Sequence, residues 1–313
     1  MTVTRRVAVT PRSLSTGRHA ALERLAEHGF ELVFPAPGRT PTAAELIAEL
    51  PTCVGYLAGV EPISAEVLRS APKLRVIARN GVGVNNIDMA AADALGIDVL
   101  PAVGANSQGV AELALALVFA AVRRIPWSDA HLKAGEWSRS SGLELAGRTM
   151  GVIGVGQIGR RLASMTAGIG MKVIGYDAFP DRQWTPPQTF EWGSLEQVLR
   201  QADVLSLHAP PGDTPLLDAR RLELVRDGTV LVNTARAELV DEDAVLAALN
   251  RNRLSAYAVD AFSTEPPTDL ELVRHANVIA TPHIGGFTQE SVARAGEGAV
   301  DAILSVLSPP NTP

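Results

Sequence analysis

Short apolar, β-branched runs alternate with stretches of helical period along the whole chain. In the first hundred residues the runs fall at Val7 to Thr10, Phe30 to Phe34, Val54 to Ala58, Leu74 to Ala78 and Ile97 to Leu100. Between them lie helical patterns at Ala20 to Glu27, Ala43 to Glu49, Ala65 to Leu68 and Met89 to Leu95. Strand-helix-strand alternation builds a parallel sheet with crossover helices on both faces, which is why such strands are apolar throughout. A long helical pattern from about Gln108 to Val122 separates this block from a second alternation. Six strand-like runs follow: Met150 to Ile153, Lys172 to Tyr176, Val204 to His208, Thr229 to Asn233, Ala256 to Val259 and Val278 to Ala280. Six fit a doubly wound dinucleotide fold. The last pattern, Thr288 to Leu307, is helical with no strand after it, and is expected to return to the first block.

The prediction is therefore an α/β chain of two doubly wound parallel-sheet domains. A flavodoxin-like outer domain takes residues 1–103 plus 287–313, and a Rossmann inner domain takes 104–286. A length of 313 residues supports two cores. The 28 Lys and Arg against 34 Asp and Glu, a net charge of -6, argue against a nucleic-acid partner, since a phosphate backbone would be repelled. The most apolar stretch, Val110 to Val122, is interrupted by Glu112 and is shorter than the roughly 20 residues needed to span a bilayer, so no membrane partner is expected. The single Cys53 sits in an apolar run and reads as an inert core thiol. No apolar run follows Arg5-Arg6, so no signal peptide is expected and the location is taken as cytoplasmic. The proline-rich tail, Pro309-Pro310 with Pro313, is expected to fray.

Composition says nothing of chemistry; the glycines do. Gly151-Val152-Ile153-Gly154-Val155-Gly156-Gln157-Ile158-Gly159 sets a Gly-x-Gly-x-x-Gly directly after a strand and at the head of a helix. Gly154 permits the tight turn, Gly156 lets backbone approach a pyrophosphate, and Gly159 lets helix and strand pack closely. The helix N-terminus, with Gln157 and Ile158, offers free amides and partial positive charge. Glycine-rich turns are common, so the pattern alone is weak. Asp177 strengthens it by ending the next strand, about 20 residues on, where an acid hydrogen-bonds the adenosine ribose. An acid there repels a 2'-phosphate, and Ala178 follows it in place of a neutralising arginine, so NAD is favoured over NADP.

Oxidising a secondary alcohol needs a base for the hydroxyl proton and a hydride acceptor. Three segments at the ends of late strands hold suitable groups: Asn233-Thr234-Ala235-Arg236, Asp260 to Pro267 containing Glu265, and Thr281-Pro282-His283-Ile284-Gly285-Gly286. Taken singly, Arg236 reads as surface charge, Glu265 as a loop acid and His283 as a satisfied buried imidazole. No histidine pair has metal-ligand spacing, and no metal is expected.

Together with Arg79-Asn80-Gly81-Val82-Gly83-Val84-Asn85-Asn86-Ile87-Asp88, Gly104-Ala105-Asn106-Ser107 and Val110-Ala111-Glu112, these segments resemble the D-isomer-specific 2-hydroxyacid dehydrogenases, and within them the phosphoglycerate dehydrogenase branch. The resemblance runs over nearly the whole chain. It implies an NAD-dependent oxidoreductase acting on a small 2-hydroxy or 2-keto acid, working as a homodimer built largely on the long helix near Gln108 to Val122. By the same resemblance Arg236 binds the substrate carboxylate and carbonyl, His283 gives and takes the proton, and Glu265 fixes its tautomer. Asn80 and the backbone at Val82 and Gly83 hold substrate from the outer domain, and Arg139 reaches the neighbouring subunit's site. Thr234, Ala235, Asp260, Gly285 and Gly286 line the nicotinamide side, while His208 and Pro210 border the adenosine.

Several positions depart from the family. Asn85 stands where many relatives carry Asp, and Ala237 where many carry Gly. Leu57-Ala58-Gly59-Val60-Glu61-Pro62 lacks the arginine that phosphoglycerate enzymes use for the distal phosphate, which favours a substrate with a compact polar or anionic end over 3-phosphoglycerate. The chain ends soon after the returning helix, so serine feedback through a C-terminal sensing domain is not expected. The alternatives are a 3-phosphoglycerate dehydrogenase of serine synthesis and, from another class, a non-catalytic NAD-responsive corepressor. The absence of a basic surface or interaction tails argues against the corepressor. Phosphite oxidation is disfavoured because Val82 stands where those enzymes carry a lysine, and formate oxidation because its characteristic Asn/Gln set is not evident.

Overall fold

The computed structural model describes residues 5–16 and 19–308; the prolines 309, 310 and 313 lie outside the described residues. The chain forms two compact units, Met1–Asn106 with Thr288–Pro313, and Ser107–Phe287.

In the first unit β1 (Arg5–Val9), α1 (Ala20–Glu27), β2 (Phe30–Val33), α2 (Ala43–Glu49), β3 (Cys53–Ala58), α3 (Ala65–Arg69), β4 (Val76–Arg79), α4 (Met89–Ala94) and β5 (Asp98–Pro101) alternate. The strands pair in parallel in the order β2-β1-β3-β4-β5. This is the flavodoxin-like order, with its switch point between β1 and β3. Pleat alternation sends Val7, Val9, Leu57, Val76 and Ala78 to one face and Ala8, Tyr56, Ala58 and Ile77 to the other. Helix starts are fixed by side chains. Thr42 and Glu45 close a capping box on α2, and Ser64 and Asp88 cap α3 and α4.

The second unit opens with α5 (Ser107–Val122), apolar nearly all round, and α6 (Ile125–Lys133). Its strands and helices follow as β6 (Thr149–Ile153), α7 (Gln157–Gly168), β7 (Lys172–Tyr176), β8 (Phe190–Trp192), α8 (Leu195–Gln201), β9 (Val204–Leu207), α9 (Ala219–Leu222), β10 (Thr229–Asn233), α10 (Glu242–Asn250), β11 (Leu254–Val259) and β12 (Val278–Ala280). All seven strands are parallel in the order β12-β11-β10-β9-β6-β7-β8, a Rossmann order extended by one strand. The expected six become seven because β8 is three residues long, largely exposed and at the sheet edge, so it carries no apolar run to read. Apolar α5 is buried through Ala111, Ala114, Leu117 and Val118 among Val152, Leu162, Val230 and Ala258. No helix among the described residues is long and apolar enough to cross a membrane.

The last helix, α11 (Gln289–Leu307), starts at Thr288, whose hydroxyl accepts from the Ser291 amide at 3.0 Å. Ala299, Val300, Ile303 and Leu307 enter the core of the first unit beside Val7, Val9 and Leu57. Gly55 on β3 admits this approach, since a Cβ there would lie 3.0 Å from Leu307 Cδ1.

One largely buried polar group stands out among the strands of the second unit. His208, one residue past β9, has its Nε2 2.9 Å from the hydroxyl of Ser206, and its buried Nδ1 has no partner among the described residues. Burial pushes its pKa down to about 4.

Two outcomes test this packing. Ile303→Ala, which empties a wholly buried position, should lower unfolding free energy by about 2–5 kcal/mol in urea denaturation. A loss within noise would mean that α11 does not seal the sheet. With its pKa near 4 in the fold against the ordinary 6.5, His208 stays neutral while the unfolded chain takes up a proton, so stability falls as pH drops from above 6.5 toward 4, by about 3 kcal/mol. In His208→Gln the stability slope between those pH values should flatten, and an unchanged slope would place the titrating group elsewhere.

Candidate active site

The glycine turn follows β6 at the sheet's switch point, between β6 and β9. Gly154 has φ +93°, and a Cβ on it would lie 2.5 Å from the Ala209 nitrogen. A Cβ on Gly159 would lie 2.1 Å from the Gly154 carbonyl. These two positions require glycine for the chain's own packing. Gly156 does not, because nothing lies within 4 Å of its added Cβ. It caps α7 with no side-chain partner, so the amides of Gln157, Ile158 and Gly159 open the helix with no intrahelical acceptor. A bare helix start with open space above a glycine fits an anionic phosphate group.

Asp177, one residue past β7, binds the same turn. Its Oδ2 accepts from the Val155 amide at 2.8 Å and its Oδ1 from the Phe179 amide at 2.8 Å. The carboxylate is thus aimed before any ligand arrives, with lone pairs remaining on both oxygens. Phe179 is 91% exposed beside it. Ser107 at the start of α5 donates to the Gln157 side chain at 3.2 Å, tying α5 to the turn.

Three further segments leave β10, β11 and β12, which are adjacent at one side of the sheet. After β10, Asn233 is wholly buried, and its side-chain amide donates to the Arg236 carbonyl at 2.8 Å and accepts from the Ala235 amide at 3.1 Å. The turn so formed leaves Arg236 part-buried, with Nη1 donating to the Ala235 carbonyl at 2.7 Å. The buried Thr234 hydroxyl has no partner among the described residues, a polar atom suited to a bound cofactor. Sequence reasoning gives Asn233 no role; its signal is a polar residue closing a β-branched run.

Asp260, directly after β11, is 2% exposed. Its Oδ1 accepts from the Thr281 hydroxyl at 2.6 Å and the Ile284 amide at 2.8 Å, and its Oδ2 from the Gly285 amide at 2.7 Å. A side chain at Gly285 would crowd this carboxylate, since its Cβ would lie 3.0 Å from Oδ2. The loop 281–285 is thereby fixed around His283, which has φ +52°, a left-handed conformation that costs a non-glycine residue about 1–2 kcal/mol. His283 Nδ1 lies 2.7 and 2.9 Å from the two carboxylate oxygens of Glu265. Glu265 also accepts from the Phe262 amide at 3.2 Å. Both side chains are about half exposed, at 50% and 42%, so the pair orients the ring more than it stabilises the fold. With Nδ1 committed to Glu265, Nε2 is the nitrogen left to handle a proton.

The remaining sequence-derived residues lie as follows. His208 turns its ring to Ser206, and Pro210 is exposed two residues on. Gly286 follows the His283 loop. In the first unit Asn80, Val82 and Gly83 follow β4; the Asn80 amide donates to the Ala58 carbonyl at 2.9 Å, and its Oδ1 is buried without a partner among the described residues. Val82 is 38% exposed. Arg139 is exposed on a segment without regular structure after α6. No group of three metal-ligating side chains occurs among the described residues.

Residues 115–285 match the model of the family described as D-isomer specific 2-hydroxyacid dehydrogenase, NAD binding domain. The D-3-phosphoglycerate dehydrogenase of Mycobacterium tuberculosis (strain ATCC 25618 / H37Rv) is 39% identical over 273 residues, 86% of this chain and 52% of that protein. The chain spans about half the length of the curated relatives it matches. Among solved structures, the TT0316 protein from Thermus thermophilus aligns with TM-score 0.85 at 36% identity over 96% of both chains. The D-lactate dehydrogenase from Aquifex aeolicus complexed with NAD and lactic acid aligns with TM-score 0.78 at 28% identity, covering 96% of this chain and 94% of that one. With the family model spanning more than half of it, the chain belongs to the D-isomer specific 2-hydroxyacid dehydrogenases, on their phosphoglycerate dehydrogenase-like branch.

Proposed function

We propose that the chain is an NAD-dependent dehydrogenase that interconverts a small 2-keto acid and its D-2-hydroxy acid. The contact that carries the reading is His283 Nδ1 on the carboxylate of Glu265, which sits in the loop after β11, next to the loop after β10 that holds Arg236. In reduction, protonated His283 gives its Nε2 proton to the carbonyl oxygen, and Glu265 stabilises the imidazolium beforehand. In oxidation Nε2 takes the proton from the hydroxyl. The Arg236 fork pairs with the substrate carboxylate and polarises the carbonyl. Bound NAD supplies the hydride acceptor in oxidation and, reduced, the donor. Gly156 with the Gln157, Ile158 and Gly159 amides would hold its pyrophosphate, Asp177 its ribose, and Thr234, Ala235, Asp260, Gly285 and Gly286 its nicotinamide end, with His208 and Pro210 toward the adenosine.

Asn80, Val82 and Gly83 complete substrate binding in this reading, and Arg139 acts across a homodimer. Dimerisation is supported by apolar side chains left in water around α5 and α6: Phe119, Ile125, Leu132 and Trp137, the last 84% exposed. The reading includes a cytoplasmic location and no nucleic-acid partner, the latter in accord with the net charge of -6. A second reading, 3-phosphoglycerate oxidation, is favoured by the names of the 39% identical relatives.

His283→Ala should cut kcat by roughly 100-fold to 10,000-fold while NADH titration by fluorescence stays near normal. Retention of half the activity would remove His283 from the chemistry. Arg236→Lys should raise KM for the keto acid and lower kcat, because a point charge does not reproduce the fork. Unchanged kinetics would move the carboxylate site. For the cofactor, kcat/KM with NADH should exceed that with NADPH, and Asp177→Ala should narrow the gap while weakening both, since it also frees the Val155 amide. Equal efficiency in the unmodified enzyme would contradict the role given to Asp177.

A further inference from the structure

A cavity of about 100 Å³ opens in the second unit at the elbow between α5 and α6, against the first residues of β11 and β12. Arg236, Glu265 and His283 follow the opposite, carboxyl ends of β10, β11 and β12, so the cavity stands apart from the candidate active site. Among the described residues that line it, Arg124 alone is charged. Arg124 is the N-cap of α6 and has φ +51°, a left-handed backbone uncommon outside glycine.

The Arg124 guanidinium is fixed on one face and unpaired at its edge. Its central carbon lies 5.2 Å from the centroid of the Trp127 ring. Stacking of this kind occupies the face of the planar group and leaves its N–H donors, which lie in the plane, for other partners. Those donors find none. Nε is buried and, like the rest of the side chain, unpartnered among the described residues. Both acids of the segment are taken, Asp129 by Lys133 at 2.7 Å and Glu136 by His131 at 3.6 Å. His131 also stacks on Trp127 with centroids 3.9 Å apart, and its Nδ1 lies 2.9 Å from the Trp127 carbonyl, so the ring beneath Arg124 is itself held. A part-buried cation with five donors and no acceptor is costly unless something else meets it.

The rest of the wall says what that is. Asn277 spends its backbone on the Tyr257 amide at 3.0 Å and the His275 Nδ1 at 3.1 Å, and its side-chain amide has no partner among the described residues. Ser255 donates its hydroxyl away, to the Gly228 carbonyl at 2.7 Å. Ala120, Ala121, Ala256 and Ile279 make the remaining surface apolar. One cation and one amide answer a single negative charge, whereas the further oxygens of a phosphate would face apolar wall without donors. Size limits the tail, since a cavity of roughly 150 Å³ accepts benzene and this one is smaller.

We propose that this cavity is a binding site for a short aliphatic monocarboxylate, with the carboxylate on the Arg124 fork and the Asn277 amide and the tail on the alanines and Ile279. The planar fork suits two carboxylate oxygens at once. Occupancy ties β12, an edge strand paired over three residues with β11 alone, to the α5–α6 elbow.

Titrating the full chain with propionate while following tryptophan fluorescence tests the site, because Trp127 is part of its wall. Propionate should bind saturably, formate more weakly for want of a tail, and inorganic phosphate and chloride not at all. Arg124→Gln should weaken propionate by about 10-fold to 100-fold, the scale of a lost charge-assisted contact. Ala120→Leu fills the apolar wall and leaves Arg124 in place, so it should weaken propionate as well and decides the matter if the first variant does not fold. Arg236→Lys should leave the titration unchanged. No saturable response, phosphate binding as tightly as propionate, or undiminished affinity in either cavity variant overturns the proposal. Loss of the response in Arg236→Lys moves the ligand to the candidate active site and overturns it too. So does an Arg124→Gln chain that changes its sedimentation but keeps its affinity, which would assign Arg124 to a contact between copies.

Discussion

The candidate site depends first on the carboxylate of Asp260. Three donors converge on it from residues 21 to 25 positions later in the chain, two of them backbone amides just past His283 in the turn that presents it. Hydrogen bonds to a buried charge are worth roughly 1.5–3 kcal/mol each, more than enough to hold His283 in its left-handed conformation. Glu265 meets the ring from the loop that Asp260 itself begins. A half-exposed His–Glu pair contributes little to stability by itself. Its value is directional, because it commits Nδ1 to Glu265 and leaves Nε2 as the nitrogen for the proposed proton transfer.

The cofactor side follows the same logic with backbone in place of side chains. Gly154 and Gly159 are required by contacts inside the chain, whereas Gly156 stays open to its surroundings. Asp177 links the end of β7 to the turn after β6 through the Val155 amide, so the residue proposed to read the ribose also shapes the turn proposed to hold the pyrophosphate. In the proposed cofactor site, specificity and affinity at this end are coupled through one carboxylate.

Strand and helix patterning made the α/β class and nearly every strand legible, because parallel strands buried on both faces carry continuous apolar runs. Phe190–Trp192 escaped for the opposite reason, being short, exposed and at the edge. Motif order placed Arg236, Glu265 and His283 in three separate loops. That these loops leave adjacent strands is a consequence of sheet order, and the Asp260 hub is a consequence of the register between β11 and β12. Neither is written in any local pattern. Glu61, wholly buried after β3, shows the same limit: in sequence it is a loop acid before a proline, and only the approach of β1 to β3 brings the Thr10 hydroxyl onto its carboxylate.

The central claim is that His283 gives a proton to the carbonyl oxygen of a 2-keto acid while the reduced cofactor that the glycine turn would hold gives a hydride to one face of the carbonyl carbon. Reducing pyruvate with NADH and resolving the lactate on a chiral column tests this most directly. D-lactate as the only isomer is the predicted result. L-lactate, a racemic product, or no lactate at all would contradict the account.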